Sequence, residues 1–219
     1  MITPPPGQPQ FTPEALRDLI GPNLISSISD SAYQRLAEYV ALLYRWNSRM
    51  NLTAVRDPQS LATFHLAESI RSAQILPPQG IRTVLDFGSG AGLPGIPVAI
   101  TRPDLQITLL EAQSKKAMFL REACRTLGLQ NTAVLRGRAE SMDPTLTFDA
   151  VMLRAVEHMQ QALHHARARL NDPGWLILLI SAADLPKWKA ELQDVRWMVP
   201  VLVAGSSQRM IVGGQTGRG

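Results

Sequence analysis

The sequence predicts an α/β fold in which a parallel sheet carries helices on both faces and a small helical subdomain comes first. Three observations lead there. From residue 83 onward, strand-like apolar runs alternate with helical stretches, whereas the pattern before residue 77 is helical throughout. Thr83 to Gly95 reads as a buried strand that breaks into a glycine-rich loop and opens a helix. Strands alternating with helices over about 130 residues are joined by crossovers, which cover a parallel sheet on both sides. With 219 residues, 45% of them hydrophobic, the chain can bury one full core and a small additional subdomain.

Residues 1–10 hold four prolines and two glutamines and read as a disordered leader. The helical subdomain follows at 11–76. Thr12-Pro13-Glu14 supplies an N-cap, a proline at the first helical position and an acidic first turn; Gly21-Pro22 ends that helix. A second helix starts near Asp30, with Tyr33, Leu36, Ala37, Val40, Leu43 and Tyr44 spaced by threes and fours into one buried stripe. Asp57-Pro58 begins a third, running toward Ile75. Pro77 to Gly80 is a linker into a larger domain at 77–213. Its strands are expected at Thr83–Phe87, Gln106–Glu111, Thr132–Leu135, Phe148–Leu153 and Trp175–Ser181, with a helix from Ser114 to Leu127 stopped by Gly128. Arg196–Val203 and Gln208–Val212 can pair as an antiparallel edge, and 214–219 reads as a flexible glycine-rich tail.

Composition narrows the function. The longest apolar run, Trp175 to Ile180, is too short to span a bilayer, and the N-terminus lacks a charged-then-apolar secretion signal, so a cytoplasmic protein without membrane partners is expected. The single cysteine, Cys124, cannot form an internal disulfide or a paired-cysteine metal site, and its spacing with Ala117, Leu120 and Leu127 makes it core filler on a helix. No metal is expected. The net charge is +4, and 18 of the 22 basic residues are arginine, which suits bidentate phosphate contact and leans toward nucleic acid.

The loop itself reads Gly88-x-Gly90-x-Gly92. Glycines there let a ligand approach the backbone, and the helix that follows presents unpaired N–H groups. A dinucleotide fingerprint would need glycine where Leu93 stands. Asp86, two residues before the loop, would repel a pyrophosphate but suits an ammonium or sulfonium group, and S-adenosylmethionine carries both. The plainer alternative is an ordinary strand–turn–helix whose glycines only make a tight turn. In such sheets the ligand lies across the carboxyl ends of the strands. Glu111 closes the second strand, where it can accept both ribose hydroxyl protons. Arg136 to Glu140 forms a loop that could face an adenine edge or simply lie on the surface. Arg154, at the end of the fourth strand, should line the cleft and touch cofactor, substrate or a neighbouring carboxylate.

These residues resemble one family, the RsmG (GidB) small-subunit rRNA guanine-N7 methyltransferases. The resemblance rests on Asp86-Phe87-Gly88-Ser89-Gly90-Ala91-Gly92-Leu93-Pro94-Gly95-Ile96-Pro97, on Asn51-Leu52-Thr53 with Arg56-Asp57-Pro58, on His65 with Glu68-Ser69, on Lys115-Lys116, and on Arg138-Ala139-Glu140 and Arg154-Ala155-Val156. It runs from about residue 30 to about residue 212. It implies a Rossmann-like class I methyltransferase sheet and contact of Gly88, Leu93, Ala139, Glu140 and Arg154 with S-adenosylmethionine, leaving S-adenosylhomocysteine as product. It also implies a guanine in the decoding-region loop of 16S rRNA as substrate and the assembled small ribosomal subunit as partner. Three departures stand out: Leu153 for a serine, Glu68 for an aspartate, and Ile180-Ser181-Ala182 in place of a lysine-glycine pair.

Guanine N7 has an in-plane lone pair and no hydrogen, so methylation there needs no general base, and catalysis should come from positioning and exclusion of water. No catalytic residue is nominated. His65 and Arg154 are the only candidates, and a histidine inside an apolar helix face reads first as a packed, hydrogen-bonded residue. No N-P-P-Y-like segment points to an exocyclic amine, and core-facing Cys124 does not suit a cysteine nucleophile. Arg35, Arg45, Arg49, Arg56, Lys115, Arg121, Arg125, Arg136 and Arg138 are candidates for a phosphate-binding face. Two other functions fit the loop: a methyltransferase acting on another RNA or a small molecule, and a non-catalytic ribosome-binding factor retaining the fold. A domain of this size is expected to act as a monomer.

Overall fold

The computed structural model describes residues 11–53, 57–156, 158–203, 206 and 208–217; the leader expected at 1–10 lies outside them. The first helix, α1 (Pro13–Ile20), starts as its cap residues dictate, with the Ala15 N–H donating to Thr12 Oγ1 at 3.2 Å. In α2 (Asp30–Met50) Ser29 plays the same part for Ala32, and Asn51 ends the helix in the left-handed region. Its buried face is wider than the sequence stripe. Tyr39 and Leu42 are enclosed as well, because α2 packs against α1 and also against α5 (Gly95–Thr101) and α6 (Ser114–Thr126). The third helical run begins where Asp57 accepts the Ser60 N–H at 2.8 Å, but it is composite: α3 (Pro58–Ser60), a π-helical stretch Leu61–Leu66, then α4 (Ala67–Gln74).

The strands are β1 (Thr83–Phe87), β2 (Gln106–Glu111), β3 (Thr132–Arg136), β4 (Phe148–Arg154), β5 (Leu170–Ser181), β6 (Val195–Trp197), β7 (Val201–Leu202) and β8 (Arg209–Thr216). They lie in the order β3-β2-β1-β4-β5-β8-β6, with β7 also on β8. The first five run parallel and β8 is antiparallel to its neighbours. Alternation along each strand divides the core. Val84, Ala150 and Ile177 join the helices of 13–76 together with α5 and α6 in one apolar cluster. Leu85, Val151 and Leu178 join α7 (Met159–Arg167) and α8 (Leu185–Glu191) in a second, on the opposite face. The helical segment 13–76 therefore shares its core with the sheet.

The C-terminus corrects two expectations. Residues 214–216 are not a flexible tail, and β8 is not an edge: it pairs with β5 from Trp175↔Gln215 to Ser181↔Arg209 and with β6 on its other side. The glycines that suggested a tail have a packing reason. A Cβ on Gly214 would lie 2.3 Å from Val195 Cγ1 and 2.9 Å from Trp197 Cε3, so only glycine lets these side chains cross β8. Thr216 is buried and its hydroxyl bonds both the N–H and the carbonyl of Gly174, at 3.0 and 3.2 Å. Among the described residues no helix is long and apolar enough to cross a membrane.

Candidate active site

The chain turns to β2 and β3 on one side of β1 and to β4 and β5 on the other, and a crevice opens at the carboxyl ends where the order reverses. It holds a cavity of about 440 Å³ whose wall takes residues from the ends of β1, β2 and β4 and from the loop after β3. Gly88 and Gly90, with φ of +73° and +56°, form one side. A Cβ on Gly88 would lie 3.5 Å from Val156, itself part of the wall, so a side chain there would intrude on the space. Gly92 does not line the cavity, and the idea that its missing Cβ admits a ligand is corrected: a Cβ there would meet Ile96 Cδ1 at 2.4 Å, so this glycine lets the loop pack on α5.

Asp86 is also corrected. It does not line the cavity. Strand alternation puts it on the face of Val84, beneath the loop, where it is 1% exposed and its Oδ2 accepts the Gly95 N–H at 3.1 Å. Among the described residues its buried Oδ1 has no hydrogen-bond partner. Burial pushes the carboxyl up to about 6, with hydrogen bonds from Ser89 and Gly95 and the Arg154 charge acting the other way. Asp86 is therefore an anchor for the loop and for the first turn of α5.

Glu111 is where the sequence places it, in the wall at the end of β2. Its Oε2 accepts the Gly90 N–H at 2.9 Å and its Oε1 the Gln113 N–H at 2.7 Å, which fixes the orientation of the carboxylate. Leu93, Ala139 and Glu140 also line it, the last two on a single 3₁₀ turn after β3. Glu140 lies 3.5 Å from His165 on α7. Arg169, buried below, holds this loop by donating to the Asp143 carbonyl at 2.7 Å.

Arg154 reaches the wall and does find a neighbouring carboxylate: its Nε donates to Glu68 Oε1 at 2.6 Å, and its Nη2 contacts His65 Nδ1. Arg209 grips the same carboxylate through Nη2 at 2.6 Å and Nε at 3.1 Å. Burial alone would raise the Glu68 carboxyl, but the His65 hydrogen bond and the two guanidiniums hold it below the usual range. Burial lowers His65. The sequence reading of His65 as packed and hydrogen-bonded holds.

Residues with less obvious signals complete the picture. Tyr39, enclosed on α2, donates its hydroxyl to the Ala91 carbonyl at 2.7 Å and ties that helix to the glycine loop. Nothing in the sequence sets Tyr39 apart from Tyr33 and Tyr44 on the same helix. Arg209 carried no signal at all. Leu52 and Thr53, quoted for the resemblance, line the cavity, as does Lys116. Leu153 lies fully buried in the second apolar cluster, so this departure adds a core contact outside the cavity. Ser181 caps the 3₁₀ turn Ala182–Asp184. Cys124 is half-buried against the core and burial raises its thiol to about 11. Of the basic candidates, Arg35, Arg49, Lys115, Arg121, Arg136 and Arg138 are exposed, Arg138 at the cavity rim. Arg45 is half-buried, Arg125 is exposed but paired with Glu122 at 2.9 Å, and Arg56 lies outside the described residues.

Sheet order, crevice and glycine loop together define the Rossmann-like class I methyltransferase fold. A SAM-dependent methyltransferase from Aquifex aeolicus matches it with a TM-score of 0.59 over 76% of this chain and 97% of that chain, at 17% identity. Sequence similarity is more specific. The family model described as GidB, rRNA small subunit methyltransferase G, matches residues 32–199. The ribosomal RNA small subunit methyltransferase G of Stenotrophomonas maltophilia is 41% identical over 173 residues, 78% of this chain and 80% of that one. Its namesake in Methylobacillus flagellatus is 43% identical over 146 residues, 66% of this chain and 70% of that one. The chain belongs to the GidB family of rRNA small subunit methyltransferases.

Proposed function

We propose that the protein methylates N7 of a guanine in the decoding-region loop of 16S rRNA within the small ribosomal subunit, using S-adenosylmethionine. The observation that carries the reading is the joining of the glycine-loop crevice, with Glu111 and Arg154 in its wall, to a chain of the GidB family. The cofactor supplies a methyl group made electrophilic by its sulfonium. Gly88 and Gly90 leave room for it, Leu93 and Ala139 offer apolar surface, Glu111 can accept ribose hydroxyl protons, and Glu140 and Arg154 complete the wall. No residue is asked to remove a proton, because N7 has none. The task of the protein is to hold the base in line and keep water out, and intramolecular positioning of this kind is worth about 7–11 kcal/mol of a barrier at its upper range. On this reading the protein works in the cytoplasm, as a monomer, without a metal.

The test is transfer of labelled methyl to unmodified small subunits, with naked 16S rRNA and tRNA in parallel, followed by nucleoside analysis. Label in 7-methylguanosine from the subunit sample is the expected result. Label in another nucleoside, or none despite demonstrated cofactor binding, would overturn the substrate assignment and leave the fold assignment standing.

A further inference from the structure

The cluster around Glu68 is the most constrained polar feature outside the cavity wall. Its side chain is 1% exposed, yet both oxygens are engaged by guanidiniums: Oε1 by Arg154 and Arg209, Oε2 by Arg209. Three distant parts of the chain meet here, namely α4 just after the π-helical stretch, the end of β4, and the start of β8, 141 residues from Glu68. Arg209 takes the carboxylate in the bidentate fork that fixes its plane. With that plane fixed, Oε1 presents one direction to Arg154 Nε. His65, on the π-helical stretch, meets Nη2. Among the described residues Nη1 has no hydrogen-bond partner, so the guanidinium is held along one edge and at its tip and keeps a donor for the cavity that Arg154 lines.

We propose that Glu68 and Arg209 are positioning residues: Arg209 orients the Glu68 carboxylate, which in turn sets the guanidinium of Arg154 at the cavity wall for cofactor binding. One carboxylate faces two guanidiniums, so the cluster holds a surplus positive charge that is suited to an anionic group of the ligand, such as its carboxylate. A pair serving stability alone would not need its second arginine 37% exposed, nor its first in the wall of the crevice. The proposal rests on the reading of this cavity as the S-adenosylmethionine site.

The experiment is a double-mutant cycle read by calorimetric titration of the full chain with S-adenosylhomocysteine. Glu68→Gln is expected to weaken binding about tenfold or more, and Arg209→Gln severalfold, while the double variant Glu68→Gln/Arg154→Lys binds no more weakly than Arg154→Lys alone. Independent losses would multiply instead. Should Glu68→Gln fail to fold, the cycle is run with Arg209→Gln, whose half-exposed side chain is more easily replaced, and the same non-additivity with Arg154→Lys is expected. Wild-type affinity in either folded single variant, multiplying losses, or an effect confined to the KM for ribosomal subunits would overturn the proposal. If the wild-type chain itself does not bind S-adenosylhomocysteine, the reading of the cavity fails and this proposal falls with it; if it binds and the variants bind equally, only the positioning role fails.

Discussion

At the scale of single residues, Asp86 shows how strand parity decides a role that residue type leaves open. Its carboxyl is raised from 3.8 to about 6 by burial, so folding is favoured by its protonated form. This contribution is fully present below about pH 4 and is lost as pH rises through about 6. Urea midpoints of the wild type measured against Asp86→Asn should therefore show the wild type gaining relative stability between pH 7.5 and pH 5, by about 1.4 kcal/mol at the upper limit. Parallel profiles would show that this carboxylate is not desolvated as described. His65 gives a second residue-level test. Because burial lowers its pKa and its Nδ1 meets Arg154, His65→Ala should lower cofactor affinity but retain measurable methyl transfer. Complete loss of transfer with cofactor binding intact would assign it a chemical role.

At the scale of elements, the glycine loop is built as much by what lies under it as by its own sequence. Tyr39 pins it from α2, Asp86 from β1, and Gly92 permits its contact with Ile96. Gly92→Ala combines a φ of +87° with a Cβ 2.4 Å from Ile96 Cδ1, and should cost about 1–3 kcal/mol in thermal or urea unfolding. Gly137→Ala, with nothing within 4 Å of its Cβ and no positive φ, should leave stability near wild type; an equal loss in both would remove the packing account of Gly92. The last strand offers the sharper contrast. Truncation after Gly213 should be harmless if 214–219 is a tail. It should lower the melting temperature markedly if the pairings of Gly214, Gln215 and Thr216 with β5 and β6 stabilise the fold.

At the scale of the whole molecule, helices from the N-terminal segment, the parallel sheet and the C-terminal strand converge on one crevice. Arg154 and Glu68 bring all three together. Exposed basic side chains on α2, α6 and the loop after β3 would meet RNA phosphates if they form the docking face, among them Arg49, Lys115 and Arg138. Ribosomal RNA affinity should then fall steeply between about 50 and 200 mM salt, while affinity for S-adenosylhomocysteine, read in the same buffers, changes little. Equal salt sensitivity of the two would sink that face.

The local patterns were enough to determine much of this protein. Caps at Thr12 and Asp57, the apolar stripe from Tyr33 to Leu43, and the strands Thr83–Phe87 and Gln106–Glu111 follow from side-chain chemistry and periodicity within a few residues, and these interactions are short in range. The glycine loop, Glu111 and Arg154 were legible for the same reason: loop and strand ends must meet at the crevice once the sheet is parallel. Tertiary structure alone decided the rest. Whether Gly214 ends the chain or lies inside a sheet depends on Val195 and Trp197, and whether Asp86 meets a ligand depends on the helix packed over its strand face. The partner of Arg154 is Glu68, 86 residues away, and that of Glu68 is Arg209, 141 residues away. Contacts over such separations arise only when the elements pack, so no local pattern announces them.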